Sequence, residues 1–315
     1  MRLLRLAIAA LALIAATAIA VRAGLRDEST DAVAPVTDVY QVLPAQPDSY
    51  LGVYVPDPNR LYSGPVSFTQ VTGVSPGIVM YYSGWQQPFR VSFARLAARH
   101  GAVPLVQMDP GSVSLAAIAS GRYDSYLSAF AEAVRSFRGA VILSFGHEMN
   151  GSWYSWGYKH TTPAAFIAAW RHIVVLFRAA GAENVTWMWT VNIIHDDRHD
   201  DIPNPRPWWP GSAYVTWVGI DGYYLQPSLR FTSLFGPTIT AIRELTADPI
   251  LVSETGASGA RQQAQIADLF SGVSTYGLLG FVWFDAVGAE DWRIQSPGAI
   301  AVLRQLAAGH ERPSP

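Results

Sequence analysis

A single-domain (β/α)8 TIM barrel, an α/β fold, is what this sequence predicts, on three observations. Eight short runs of continuous rather than alternating hydrophobicity follow one another along the chain, the pattern of strands buried on both faces of a parallel sheet. The intervals between them mostly carry apolar residues at helical spacing, so strand and helix alternate. Residues 49–310 hold all eight runs, an ordinary length for one closed barrel.

The runs are residues 50–55 (YLGVYV), 77–82 (GIVMYY), 103–108 (VPLVQM), 140–145 (AVILSF), 185–191 (VTWMWTV), 217–220 (WVGI), 249–252 (PILV) and 278–284 (LLGFVWF). Residues 92–100 gather their apolar side chains on one helical face and stop at Gly101, a good C-cap; residues 123–137 repeat this and stop near Gly139. Residues 163–180 open with Thr162 as N-cap and Pro163 at the first helical position, and stop at Gly181. Later helices are expected at 233–246, 261–271 and 298–308. The first crossover, 56–76, shows no clear helical pattern and is the weakest unit. No glycine-rich nucleotide fingerprint follows any strand.

Half the residues are hydrophobic, 15% are charged and the formal net charge is −2. That balance argues against nucleic acid or an anionic membrane surface as partner. The absence of cysteine excludes disulfides, thiolate catalysis and cysteine zinc sites. Eleven Trp and 14 Tyr suit stacking on sugar rings, although an aromatic-rich core accounts for them equally well. At the N-terminus, Arg2 and Arg5 precede an uncharged apolar run at 6–21, closed by Arg22. Residues 1–22 are read as a secretory signal with an A-x-A site at Ala18-Ile19-Ala20, or as an uncleaved anchor, and 23–48 as a linker. The expected location is secreted or extracytoplasmic, with membrane contact only through that segment if it is retained.

Barrel enzymes keep their chemistry at the C-terminal ends of the strands. Asp57, Trp85 and Asp109 follow strands one to three, Gly146-His147-Glu148-Met149-Asn150 strand four, and Asn192 strand five. Asp221-Gly222-Tyr223 follow strand six, Ser253-Glu254-Thr255-Gly256 strand seven, and Trp283 and Asp285 end strand eight. Glu148 and Glu254 sit after strongly apolar strands, where a carboxylate without a task would be costly to bury. Strands four and seven lie nearly opposite, so both side chains reach the central mouth. Two carboxyls about 5–5.5 Å apart suit retaining glycoside hydrolysis, and a wider gap suits inversion. A zinc-type H-E-x-x-H reading fails because Gly151 occupies the second histidine's place. The segment His195-Asp196-Asp197-Arg198-His199-Asp200-Asp201 matches no metal spacing and is read as a solvated or substrate-lining loop. Trp208-Trp209 is a sugar platform or a loop anchor; Trp187 and Trp189 are packing residues, and Trp170 and His172 belong to a helix without a role.

The string from Phe145 to Gly157 (FGHEMNGSWYSWG) resembles the acid/base motif of glycoside hydrolase family 26, and Ser253-Glu254-Thr255-Gly256 resembles its nucleophile motif. The resemblance runs from about residue 50 to 308. It implies Glu148 as acid/base and Glu254 as nucleophile, with His147 before the acid/base, Trp153 lining the sugar site, and Tyr223 hydrogen-bonding the nucleophile. It also implies Trp283 as the platform under the sugar and Asn192 as the strand-five asparagine. Family mannanases often carry an arginine two or three residues before the histidine and an aromatic-Trp-Trp string after the first tryptophan; here these are Ser144-Phe145-Gly146 and Tyr154-Ser155-Trp156. The expected activity is retaining cleavage of a β-linked polysaccharide. Mannan is the first substrate, and mixed-linkage β-glucan and β-1,3-xylan are the alternatives within the family. No cofactor or metal is expected, and the chain is expected to be a monomer. The rivals are a non-catalytic carbohydrate-binding barrel and an anchored enzyme acting on the cell's own envelope glycans.

Overall fold

The computed structural model describes residues 43–57, 61–194 and 202–309. The proposed signal or anchor, most of the linker and the His195–Asp201 segment lie outside the described residues. Eight parallel strands close in sequence order, β1 to β8. They are β1 (Tyr50–Tyr54), β2 (Ile78–Gly84), β3 (Val103–Asp109), β4 (Val141–Phe145), β5 (Val185–Asn192), β6 (Trp217–Asp221), β7 (Ile250–Thr255) and β8 (Gly280–Phe284). Pairing of Tyr50 with Gly280 through Tyr54 with Phe284 closes the barrel. Each strand falls on its predicted run to within a few residues.

Outside the sheet lie α1 (Ser63–Thr72), α2 (Val91–Arg99), α3 (Leu115–Ala119), α4 (Asp124–Phe137) and α5 (Pro163–Ala179), then α6 (Phe231–Leu234), α7 (Gly236–Arg243), α8 (Gln262–Thr275) and α9 (Pro297–Ala307). Thr162 caps α5, its hydroxyl accepting from Ala165 N at 3.2 Å, with Pro163 at the first turn as predicted. The first crossover is helical after all. Its α1 has no side-chain cap of its own. Asp57, five residues upstream of Tyr62, does the capping: its carboxylate accepts from Tyr62 N at 2.5 Å and from the Ser63 hydroxyl at 2.7 Å. A cap supplied from outside the helix leaves no local sequence signature.

The expected linker also ends earlier than residue 48. Leu43 is buried among the inward-facing residues of the barrel floor, Tyr50 donates its hydroxyl to Pro44 O at 2.8 Å, and Asp48 N donates to Leu278 O at 2.9 Å. Residues 43–48 therefore belong to the barrel.

Strand alternation separates two cores. Outward-facing residues such as Val53, Val79, Val106, Leu143, Val191, Ile220 and Val252 pack against the helices. Inward-facing residues fill the interior. Toward the N-terminal ends these are apolar: Tyr50, Ile78, Leu105, Ile142, Met188, Trp217 and Leu251. Toward the C-terminal ends they turn polar while staying buried: Gln107, Ser144, Thr190, Asp221 and Ser253. A Cβ on Gly219 would come within 2.6 Å of both the Ser253 and Thr190 hydroxyls, so only glycine fits between them. The polar layer is the floor of the site.

Candidate active site

Glu148 follows β4 through a sharp backbone turn. Gly146 and Glu148 both adopt left-handed φ, 57° and 53°. A left-handed glutamate is uncommon and needs its surroundings to hold it. Glu148 N donates to Thr190 O at 3.0 Å and Gly151 N donates to Glu148 O at 2.8 Å. Asn150 adds a reciprocal amide pair with β5, its Nδ2 donating to Asn192 O and its Oδ1 accepting from Asn192 N, both at 2.8 Å. That pair fixes Asn192, whose Nδ2 donates to Glu148 Oε1 at 2.6 Å. Trp153 Nε1 donates to the other oxygen, Oε2, at 2.6 Å. Glu148 is 7% exposed.

Glu254 reaches the mouth by a different device. Ile220 pairs with Val252 but Asp221 pairs with Glu254, so Ser253 is an extra residue in β7. This bulge lets two consecutive side chains serve the interior. Ser253 donates its hydroxyl to Asp221 Oδ1 at 2.6 Å, and Glu254 takes hydrogen bonds from Tyr82 on Oε1 and from Tyr223 on Oε2, the latter at 2.7 Å. Burial lifts the Glu254 pKa, the charge of His147 lowers it, Glu148 raises it, and the two phenols lower it; it comes to about 7. This carboxylate is thus poised near neutrality. Asp221 beneath it is pushed well above the carboxylate range by burial and then by the charges of Glu254 and Glu148.

His147 lies between the two carboxylates' environments. Its Nδ1 is 2.9 Å from Asp109 Oδ1, an ion-pair distance with poor hydrogen-bond angles. Burial pushes the imidazole down, but Asp109, with help from Glu254 and Glu148, outweighs it and brings the pKa to about 9. As an imidazolium it donates from Nε2 to the Tyr154 hydroxyl at 3.2 Å. Tyr154 lies flat on Trp156, centroids 4.3 Å apart and 7° between planes, and Trp156 donates Nε1 to His147 O at 2.9 Å. Of the residues at which this chain departs from the mannanase string, Tyr154 and Trp156 are built around His147.

Of the residues expected from sequence, Glu148, Glu254, His147, Trp153, Asn192 and Tyr223 converge on one mouth. Trp283 does not. Only 1% exposed, it packs in the layer between sheet and helices and donates Nε1 to Trp292 O at 2.8 Å. Alternation along β8 turns Trp283 outward and Phe284 inward, so Trp283 is a packing residue and not the sugar platform. The wall near Glu254 is instead Phe284, half-buried, against Tyr54 (4.6 Å), Tyr223 (5.9 Å) and Trp292 (5.5 Å), with Tyr223 and Trp292 stacked at 4.5 Å. Sequence reasoning missed Tyr82, Tyr154 and this wall. Alternation from Ile78 and Met80 to Tyr82 was the signal for the first; ring contacts between segments mostly far apart in sequence left none for the wall.

The remaining rim residues have structural work. Asp285 accepts from Ile294 N at 2.7 Å and Trp85 packs edge-on against Tyr123 and Tyr126. Trp208, 3% exposed, is a loop anchor; Trp187 and Trp189 are core, Trp170 donates to Tyr214 O at 3.0 Å, and His172 pairs with Asp124 at 2.6 Å. Among the described residues no group of three or more His, Asp or Glu is arranged to hold a metal ion.

The model of glycosyl hydrolase family 26 matches residues 113–290, more than half of the 315-residue chain. The chain belongs to glycosyl hydrolase family 26. The match spans both glutamates. Endoglucanase H of Acetivibrio thermocellus is 29% identical over 270 residues, 79% of this chain and 29% of that protein. A mannan endo-1,4-beta-mannosidase A and B of Caldalkalibacillus mannanilyticus is 30% identical over 88 residues, 26% of this chain and 16% of that protein. The chain thus spans less than a third of the length of either relative. The solved structure of the GH26 beta-mannanase of Bacteroides ovatus superposes with TM-score 0.63 at 17% identity, covering 86% of this chain and 90% of the other, a likeness of fold.

Proposed function

We propose that this chain is a retaining glycoside hydrolase of β-linked polysaccharides, with Glu148 as acid/base and Glu254 as nucleophile. The observation that carries the reading is the contrast between the two carboxylates: one clamped by an amide and an indole, the other by two phenols, in one buried mouth. In the first step Glu254 attacks the anomeric carbon, the glycosidic bond breaks, and its oxygen takes the proton of Glu148. In the second, Glu148 removes a proton from water, whose oxygen displaces Glu254 from the sugar. Asn192 and Trp153 hold Glu148 in line with that oxygen, and the imidazolium of His147 supports negative charge on Glu254.

Mannan is the first substrate of this reading, supported by the mannosidase and mannanase among the relatives. Mixed-linkage β-glucan is the second, favoured by the endoglucanase that aligns with most of the chain and by the departures around Tyr154. The reading includes action as an exported or anchored monomer, supported by the basic and apolar N-terminal pattern for export. The test is product formation from β-mannan, mixed-linkage β-glucan, β-1,3-xylan and native envelope glycan, by the wild type and Glu254→Ala. Cleavage of one polymer that vanishes in the variant supports the reading and names the substrate. A folded protein that binds these polymers and cleaves none would sink it in favour of a binding barrel.

A further inference from the structure

Both oxygens of the Glu254 carboxylate carry a phenol donor, and only one of these was anticipated. Tyr223 donates to Oε2 at 2.7 Å; Tyr82 donates to Oε1. Tyr82 lies near the end of β2, on the inward face set by Ile78 and Met80. Its ring stands edge-on to Tyr54, centroids 5.1 Å apart at 73°, and tilted on His147 at 5.6 Å and 47°. The hydroxyl is therefore aimed by packing against two other segments.

We infer that Tyr82 is a second positioning residue for the nucleophile: with Tyr223 it fixes the plane of the Glu254 carboxylate so that one oxygen faces the anomeric carbon, and it acts on the bond-forming step. The inference rests on the retaining-hydrolase reading. A carboxylate turns easily about its last torsion, whose energy profile is broad. One donor leaves that rotation free; two donors on separate oxygens stop it. Hydrogen bonds to the ionised form also favour it against burial. No proton moves between phenol and carboxylate. Burial first, and then the charge of Glu254, push both Tyr82 and Tyr223 well above the ordinary phenol value, so both remain donors throughout. As Glu254 bonds to carbon, the attacking oxygen loses its charge and the hydrogen bond to it weakens, while the other keeps the carboxyl in place. The other groups whose charge couples to Glu254 are Tyr54 from β1, His147, Glu148 and Tyr154 from the segment after β4, and Asp221 from β6. Removing one phenol oxygen leaves all of these in place.

The experiment compares the full-length wild type with Tyr82→Phe, which keeps the ring and its contacts. The probes are activated 2-deoxy-2-fluoro β-mannosides and β-glucosides, which trap the glycosyl-enzyme. The readouts are the rate of Glu254 labelling by intact-mass spectrometry, the pH profile of kcat/KM, and the thermal midpoint. The inference expects labelling and kcat to fall ~10–100-fold, the range for a lost hydrogen bond to a charged group. KM should change by only a few fold, the acidic limb should move to higher pH, and the midpoint should hold. Installing 3,5-difluorotyrosine at position 82, a stronger donor, should move the acidic limb the other way. Labelling at the wild-type rate with an unmoved limb would overturn the inference while leaving the hydrolase reading intact. A wild type that neither labels nor cleaves any glycan would remove the reading, and the inference with it.

Discussion

Asp109 Oδ1 lies 2.9 Å from Nδ1 of His147, and this ion pair sets the charge of the site. Burial alone would leave His147 neutral, whereas Asp109 holds it as an imidazolium, with a pKa near 9. The imidazolium in turn lowers the pKa of Glu254. Asp109→Asn should release His147 to burial and make it neutral at pH 7. Glu254 then loses the positive charge that lowers its pKa, and that pKa rises. The acidic limb of kcat/KM should move to higher pH, and the 15N shifts of the His147 ring should report a neutral imidazole. An unmoved limb would show that the pair is only structural.

In the wild type the limb itself should lie near pH 7, because the proposed nucleophile must be ionised and the pKa of Glu254 is raised to about 7. Activity is lost as pH falls through that value. The pH–rate profile on whichever polymer is cleaved checks it.

Burying that carboxylate has a cost in stability with a definite sign. The pKa of Glu254 rises from 4.5 to about 7 on folding. The folded state therefore holds a proton that the unfolded chain has lost, and stability falls as pH rises from about 4.5 to 7. At 1.4 kcal/mol per pH unit the loss is about 3 kcal/mol at most. Glu254→Gln is free of it. The variant should melt a few degrees above the wild type at pH 8 and show little advantage at pH 4.5, by calorimetry at both values.

Trp283 and Phe284 should separate packing from binding. Trp283→Ala empties a fully buried site and should cost ~3–5 kcal/mol, read as a lowered thermal midpoint. Phe284→Ala removes part of the wall beside Glu254 and should raise KM with a smaller thermal change. The reverse pattern would restore Trp283 as the platform.

Asn192 Nδ2 donates to Glu148 Oε1 at 2.6 Å. Asn192→Ala should lower kcat/KM ~10–100-fold without unfolding the protein, since it removes the hydrogen bond that stabilises the charge Glu148 acquires as it gives up its proton. Steady-state kinetics and the thermal midpoint check both halves.

The eight strands were legible because each is a continuous apolar run, and both glutamates because they follow such runs at the functional end. Helix α5 announced itself through Thr162 and Pro163. Helix α1 did not, because Asp57 caps it from outside. The inward turn of Glu254 depends on the bulge at Ser253, which only pairing with β6 and β8 reveals. Tyr82 and Phe284 owe their place to alternation read against closed-barrel neighbours. Trp283 was misplaced because motif likeness carries no facing, and a shift of one residue along a strand reverses it.

The most direct test of the central claim is the stereochemistry of cleavage. Proton NMR during hydrolysis of a β-linked oligosaccharide by the wild type should show the β-anomer of the new reducing end first, with α appearing only by mutarotation, and Glu254→Ala should show neither. The α-anomer appearing first, or turnover by Glu254→Ala at the wild-type rate, would contradict a double displacement through Glu254.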